Sequence, residues 1–195
     1  MKLYMTESSG NAYKPRLLLE MLNVPYEKAI LDSKNKEHKQ PAYLKVNPRG
    51  QVPALEDDGR VFWDSTACLV YIARKHGGEK WLPTDAAGMA EVTQWLALSN
   101  NELHYGLQWG RGVVNKIKQG NLEEYQGYGN NGLKVLQGRL NDHDWLALDR
   151  PTIADLACYP YTAVSPEGGF KLEEYPAVQA WLKRVEALPG WVKRQ

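Results

Sequence analysis

The chain has 195 residues with 24 Lys or Arg and 23 Asp or Glu, and the resulting net charge of +1 gives no argument for nucleic acid or anionic membrane partners. The 43% of hydrophobic residues is enough for a sizeable core, yet no apolar run approaches the ~20 residues that span a bilayer. The first residues also lack the apolar segment of a secretory signal, so we expect a soluble, cytoplasmic protein.

The first part of the chain alternates strand-like and helix-like segments. Segments with strand character lie at residues 2–5, 26–31, 52–56 and 61–63. Helical patterns lie at residues 14–22, 41–45 and 65–76. Asp57-Asp58-Gly59 is a strong hairpin signal between the last two strands, and Gly77-Gly78 ends the last helix. This order predicts one sheet with helices, a small α/β domain over residues 1–78.

Pro15 bears on where the first helix starts. Proline is tolerated in a helix mainly within the first turn, because it has no N–H and its ring clashes with the preceding turn. We therefore expect this helix to begin nearer Lys14 than Asn11.

After a linker at residues 79–85 the strand pattern disappears, which predicts an all-helical domain over residues 86–195. Thr152-Ile153-Ala154-Asp155 is similar to a capping box, with Asp in place of the usual Glu or Gln, and opens one of the helices. Apolar residues recur at helical spacing in three stretches, at residues 89–103, 133–140 and 178–188.

Two groups of glycines fall within this second domain, although an interior glycine destabilises a helix by about 1 kcal/mol relative to alanine. They lie at residues 106, 110 and 112 and at residues 127, 129 and 132. Close helix packing, a break between helices and a mobile rim over a substrate pocket are all compatible with them. A simple loop is an equally good explanation of the second group.

The most informative stretch is Asn47-Pro48-Arg49-Gly50-Gln51-Val52-Pro53-Ala54-Leu55, followed by Asp64-Ser65. A proline that opens a strand predicts a cis Val52–Pro53 bond, with the Val52 N–H and C=O turned outward to pair with an extended peptide. Asp64-Ser65 opens a helix, where backbone N–H groups and a hydroxyl favour a carboxylate. These features indicate a site for a small anionic peptide. An ordinary trans proline and a plain helix cap are the alternatives.

These residues, with Ser8-Ser9-Gly10-Asn11 before them and the capping-box segment after them, resemble the glutathione transferases over almost the whole chain. The serine near the N-terminus is similar to that of the theta, delta and related bacterial groups. The resemblance implies a thioredoxin-like N-terminal domain, an all-α C-terminal domain and a homodimer. It also implies a transferase of detoxification that uses glutathione as co-substrate and needs no other cofactor.

Conjugation needs the glutathione thiol as thiolate, which a hydroxyl donor and a helix N-terminus both stabilise. Ser9 lies after the first strand and before the first helix, so we assign it as that donor. Ser8 is the nearest rival, and Asn11 is a second candidate donor by resemblance. The alternative is that Ser9 or Asn11 only caps the helix.

The resemblance assigns the rest of the glutathione site. Asp64 would accept from the α-amine of the γ-glutamyl end, and Ser65 would donate to its α-carboxylate. Val52 would pair its backbone with the cysteinyl unit while Pro53 holds the turn. The candidates for the glycine carboxylate, ranked by preference, are His38, Gln51 and then Lys39.

Clefts between domains favour small-molecule sites, so the second substrate's pocket is expected there. Candidate lining residues on the first helix of the second domain are Tyr105, Trp109 and Arg111, although aromatic residues at helical spacing are more often core. The four histidines and two cysteines show no ligand spacing, so no metal site and no disulfide framework are expected.

Two other functions stay open beside conjugation of a small electrophile. One is a glutathione-dependent disulfide or peroxide reductase that uses no protein cysteine. The other is a non-catalytic glutathione-binding scaffold or regulator, since a fold does not fix a function.

Overall fold

The computed structural model describes residues 1–194, which form two compact units. The first contains Met1–Glu79 together with residues 189–194, and the second is Lys80–Leu188. The predicted helical domain extended to residue 195, but the segment after Pro189 packs on the first unit. There the Tyr13 hydroxyl donates to the Val192 carbonyl over 2.6 Å.

Four strands form the sheet of the first unit, in the order β2-β1-β3-β4. Strand β1 runs parallel to β2 and antiparallel to β3, and β3 runs antiparallel to β4. The α/β arrangement predicted for this part of the chain is confirmed. The bounds are β1 (Lys2–Met5), β2 (Glu27–Ile30), β3 (Ala54–Asp57) and β4 (Arg60–Trp63).

The hairpin between β3 and β4 follows the predicted turn. Asp58 has φ 49° and Gly59 has φ 73°, so both central residues are left-handed. Two positive φ values are what a two-residue type I′ turn requires, and they explain the Asp-Gly pair.

The first unit also contains α1 (Gly10–Met21), α2 (Pro41–Leu44) and α3 (Ser65–Ile72), and α4 (Gly78–Trp81) begins at its end. A 3₁₀ turn, Glu37–Lys39, precedes α2, and a π-type segment, Ala73–Gly77, continues α3. The predicted linker therefore begins inside α4 rather than in an irregular segment.

The expected start of α1 near Lys14 is wrong, because the helix begins at Gly10 and carries Pro15 in its interior. Ser9 is the N-cap, and its Oγ accepts a hydrogen bond from the Ala12 N–H over 3.1 Å. Such a cap contributes about 1 kcal/mol. Because α1 also buries Ala12 and Leu17 completely, capping and burial outweigh the roughly 3 kcal/mol that an interior proline costs.

The second unit is helical, as predicted. Its first helix is continuous from residue 86 to 114, with α-helical ends, α5 (Ala86–Leu98) and α6 (Trp109–Val114), joined by the π-type segment Ser99–Gln108. The later helices are α7 (Leu122–Leu140), α8 (Ile153–Ala163) and α9 (Pro176–Glu186), with 3₁₀ turns at Ser165–Gly168 and Leu172–Glu174 between the last two.

The glycines bring the first long helix and α7 into backbone contact. A Cβ on Gly106 would lie 2.1 Å from the Gly129 N, and a Cβ on Gly129 would lie 2.8 Å from the Leu107 Cδ2. Close helix packing therefore explains these two positions. The loop explanation is wrong for Gly127, Gly129 and Gly132, which all lie inside α7.

The capping box at the start of α8 is confirmed. The Asp155 carboxylate is buried and accepts from the Thr152 N–H over 2.9 Å, the Leu146 N–H over 3.2 Å and the Trp181 Nε1–H over 2.9 Å. Burial raises the pKa of Asp155 to about 6. One carboxylate thus joins the start of α8 to the preceding loop and to α9.

Within residues 1–194, no helix is both long and apolar enough to cross a membrane. No group of three or more His, Cys, Asp or Glu side chains there is arranged to hold a metal ion. Cys68 and Cys158 are both buried, no disulfide joins them, and burial raises the pKa of Cys68.

Candidate active site

Ser9 lies in the turn between β1 and α1, where the chain passes from the sheet to the first helix. The Ala12 N–H donates to its Oγ, and its own N–H donates to the Thr6 carbonyl over 3.2 Å. Since a hydroxyl can accept and donate at once, capping leaves the Ser9 proton free for a ligand. The N-terminus of α1 begins at the next residue, so its positive end acts at Ser9.

Ser8, the alternative to Ser9 as the thiolate donor, lies in different surroundings. Its exposed side chain lines a cavity of about 480 Å³ together with Thr6, Glu7 and residues of the loop that follows β2. The two serines therefore face different surroundings, although they are adjacent in sequence.

Asn11, in the first turn of α1, contacts the start of α3. Its Oδ1 accepts from the Ser65 Oγ over 3.5 Å, a long hydrogen bond. Because Ser65 is buried and α1 packs against α3, the two predicted parts of the glutathione site lie side by side.

Asp64 caps α3 from an unusual backbone conformation. Its φ of 83° is rare for a residue other than glycine, and such values persist where the surrounding structure enforces them. Its Oδ1 accepts from the Thr66 N–H over 2.8 Å, and its Oδ2 lies 3.4 Å from Arg49 Nη1. The helix cap that the sequence left open as an alternative is therefore present, and the second oxygen is paired with a half-exposed guanidinium.

Hydrogen bonds from two side chains hold the segment that precedes β3. The Tyr43 hydroxyl and the Asn47 Nδ2 both donate to the Gln51 carbonyl, each over 2.7 Å, and burial raises the pKa of Tyr43 to about 12, so its proton is kept. The Val52–Pro53 bond is cis. Val52 packs against the hydrophobic cluster of Leu31, Tyr43 and Ala54. Hydrogen bonds and apolar packing therefore both hold this turn.

His38 lies in the 3₁₀ turn next to this segment. Its carbonyl oxygen would lie 2.9 Å from a Cβ on Gly50, and Lys39 Nζ donates to the Arg49 carbonyl over 3.4 Å. Within residues 1–194 the His38 Nδ1 is buried without a hydrogen-bond partner. Burial, followed by Lys39 and Lys36, lowers the pKa of His38, while the Gln51 side chain is exposed.

The three residues predicted for the second substrate have different surroundings in the helical unit. Tyr105 is about half exposed, and its ring centroid lies 5.3 Å from that of Trp109. Trp109 also packs edge-on against Tyr125, at 5.6 Å. Arg111 is instead ion-paired with Glu167.

Arg49, Tyr43 and Asn47 were given no role by the sequence reasoning. Arg49 and Asn47 belong to the motif at residues 47–55, but their contacts depend on the fold. An Asn-Pro pair before a Gly is the signal that could have indicated the Asn47 clamp, because asparagine commonly fixes the backbone of a turn.

Two family models match the chain. The model for the glutathione S-transferase N-terminal domain matches residues 1–74, and that for the glutathione S-transferase C-terminal domain matches residues 111–189. Together they cover more than half of the sequence. The chain belongs to the glutathione S-transferase family.

Individual relatives agree with this membership. The chain is 32% identical to a probable glutathione S-transferase of rice, Oryza sativa subsp. japonica, with 97% of this chain and 93% of the relative covered. The crystal structure of a glutathione S-transferase from Pseudomonas fluorescens superposes with a TM-score of 0.91 at 33% identity, covering 99% and 98% of the two chains. The structure of Ure2p in complex with glutathione superposes with a TM-score of 0.87 at 25% identity, covering 100% and 97%.

The fold expectation is thereby confirmed as a glutathione S-transferase fold, a thioredoxin-like unit followed by a helical unit. Family membership supports glutathione binding by this chain.

Proposed function

We propose that this glutathione S-transferase binds glutathione on its first unit and ionises the thiol, and that the thiolate attacks a small, apolar electrophile. The observation that carries the proposal is Ser9 at the N-cap of α1, with its oxygen accepting from the Ala12 N–H. An accepting hydroxyl directs its proton outward, and a thiolate there would receive that hydrogen bond beside the positive end of a helix.

The tripeptide is proposed to lie from α3 toward the 3₁₀ turn that precedes α2. Ser65 and the N-terminus of α3 would bind the γ-glutamyl carboxylate, and Asp64 would accept from the amine, in the place of the Arg49 guanidinium. Val52 would pair with the cysteinyl backbone. His38 or Gln51 would bind the glycine carboxylate, and the Gln51 side chain is exposed.

The test is a pH titration of glutathione bound to the protein, followed by the ultraviolet absorbance of the thiolate. A free thiol of this kind has a pKa of about 8.5 and is only a few per cent ionised at neutral pH. Saturable binding with a clearly lower thiol pKa supports the proposal. Binding without a lowered pKa favours the scaffold or regulator, and no binding at millimolar glutathione rules the proposal out.

Rates with two substrates separate conjugation from reduction. An aryl halide reports attack on an electrophilic carbon, whereas a small mixed disulfide of glutathione reports thiol exchange. Because both protein thiols are buried, exchange would have to use a second glutathione. We propose that the aryl halide is the faster substrate and that the protein is a homodimer, which sedimentation equilibrium tests.

A further inference from the structure

The helical unit contains a cavity of about 350 Å³ that none of the glutathione-binding residues lines. It lies between the π-type segment of the first long helix and the first two turns of α7. Its volume is at the lower end of the range typical of small-molecule sites, roughly 300 to 1,000 Å³. The lining side chains are Asn101, Glu102, Tyr105, Glu124, Tyr125 and Tyr128.

Aromatic rings from both helices line the cavity. Tyr105 and Tyr125 line the space, and both rings pack on Trp109, with centroid distances of 5.3 and 5.6 Å. Lys118 Nζ lies 3.6 Å from the centroid of the Trp109 ring. This aromatic cluster therefore already holds one ammonium group on a ring face, as the electron-rich faces of aromatic rings do.

Each of the two helices also supplies one carboxylate. Glu102 and Glu124 both line the cavity, and within residues 1–194 neither carboxylate forms an ion pair. Glu102 is also only partly exposed. In contrast, the nearby Arg111 is neutralised by Glu167. With the Lys118 ammonium on the Trp109 ring counted against the two carboxylates, the charge at the cavity is still negative, although the whole chain has a net charge of +1.

The backbone around the cavity departs from ordinary helix geometry. Asn101, Glu102 and Tyr105 all belong to the π-type segment Ser99–Gln108. π-Helical turns are rare and are found frequently at functional sites. The contact of Gly106 with Gly129 holds the two helices at backbone distance next to the cavity, which fixes the spacing of its walls.

We propose that this cavity binds a small organic cation, an aromatic or alkyl ammonium ion. A weakly hydrated cation is recognised by aromatic ring faces and nearby negative charge. The cavity provides both, through three tyrosine side chains and two unpaired carboxylates. An anion of the same size meets like charge in the same space. This inference does not depend on the glutathione site, which lies in the other unit.

The test is calorimetric titration of the full chain, without glutathione, with benzyltrimethylammonium, benzyl alcohol and benzenesulfonate. The cation is expected to bind with a Kd on the order of 1 mM, and the neutral and anionic probes more weakly by about tenfold. Replacing both carboxylates, Glu102→Gln with Glu124→Gln, should weaken cation binding by about tenfold.

Glu123→Gln is the control for the α7 position, because it removes one charge from the helix that carries Glu124 without touching the cavity. Its affinity should stay within about twofold of the wild type. Equal affinity for all three probes, an equal loss in the control, or no saturable binding of the cation would each overturn the proposal. Circular dichroism of each variant shows that the helices are retained.

Discussion

Ser9 caps α1 and is proposed to donate a hydrogen bond to the glutathione thiolate. Three substitutions separate these two roles. Ser9→Ala removes both the cap and the hydroxyl. Ser9→Gly removes the hydroxyl but is tolerated as an N-cap, and Ser9→Thr keeps both. The φ of −77° at Ser9 is accessible to all three replacements, so none of them strains the backbone.

The expected magnitudes follow from the contacts. Loss of the Ala12 N–H to Ser9 bond should cost about 1 kcal/mol of unfolding free energy in the alanine variant and only a few tenths in the glycine variant. A hydrogen bond to a charged group contributes about 1.5–3 kcal/mol, which corresponds to roughly one to two pKa units of the bound thiol. Both variants should therefore raise the thiol pKa by the same amount.

The assays are urea unfolding for stability and the absorbance titration for the bound thiol. If the glycine variant keeps the wild-type thiol pKa, Ser9 is only a helix cap and the assignment is refuted. Ser8→Gly and Asn11→Ala then identify which neighbouring side chain acts instead.

Four further substitutions test the packing within the two units. Replacing Asp155 by Ala leaves three buried donors unpaired and should cost about 3–5 kcal/mol in urea unfolding. Because burial raises the folded-state pKa of Asp155 to about 6, its protonation stabilises the fold at low pH. This contribution to the free energy of unfolding is lost as pH rises through 6. Urea unfolding at several pH values should show this dependence in the wild type and not in the alanine variant. Gly106→Ala, whose Cβ would lie 2.1 Å from the Gly129 N, should be strongly destabilised, whereas Gly127→Ala, in open space, should be neutral or more stable by up to about 1 kcal/mol. Tyr43→Phe removes one of two donors to the Gln51 carbonyl, so it should cost about 1 kcal/mol and weaken glutathione binding measured by calorimetry.

Features set by near neighbours in sequence were the ones that could be predicted. The Asp58-Gly59 turn demands two positive φ values, and the Thr152–Asp155 box satisfies its own backbone donors. Both signals lie within a few residues, and the structure agrees with both. The start of α1 was mistaken because two local rules conflict, and the Ser9 cap together with burial outweighs Pro15.

Features that depend on distant contacts were not predictable. Close helix packing was one of several explanations that the sequence left open for Gly106 and Gly129, and only the packing of two helices makes them a pair. The Arg49 contact to Asp64 spans fifteen residues across a hairpin. Neither contact leaves a periodic pattern, so neither could be read before the fold was known.

The return of the chain after Pro189 to the first unit makes that unit discontinuous in sequence. In topological terms the helical unit is an insertion, anchored to its host at both ends. When the host is folded, the ends of the insertion are held at a fixed separation, which lowers the conformational entropy of the helical unit while it is unfolded. Cutting the chain after Glu79 would leave a host without its last segment, so the two units are not independent modules for engineering.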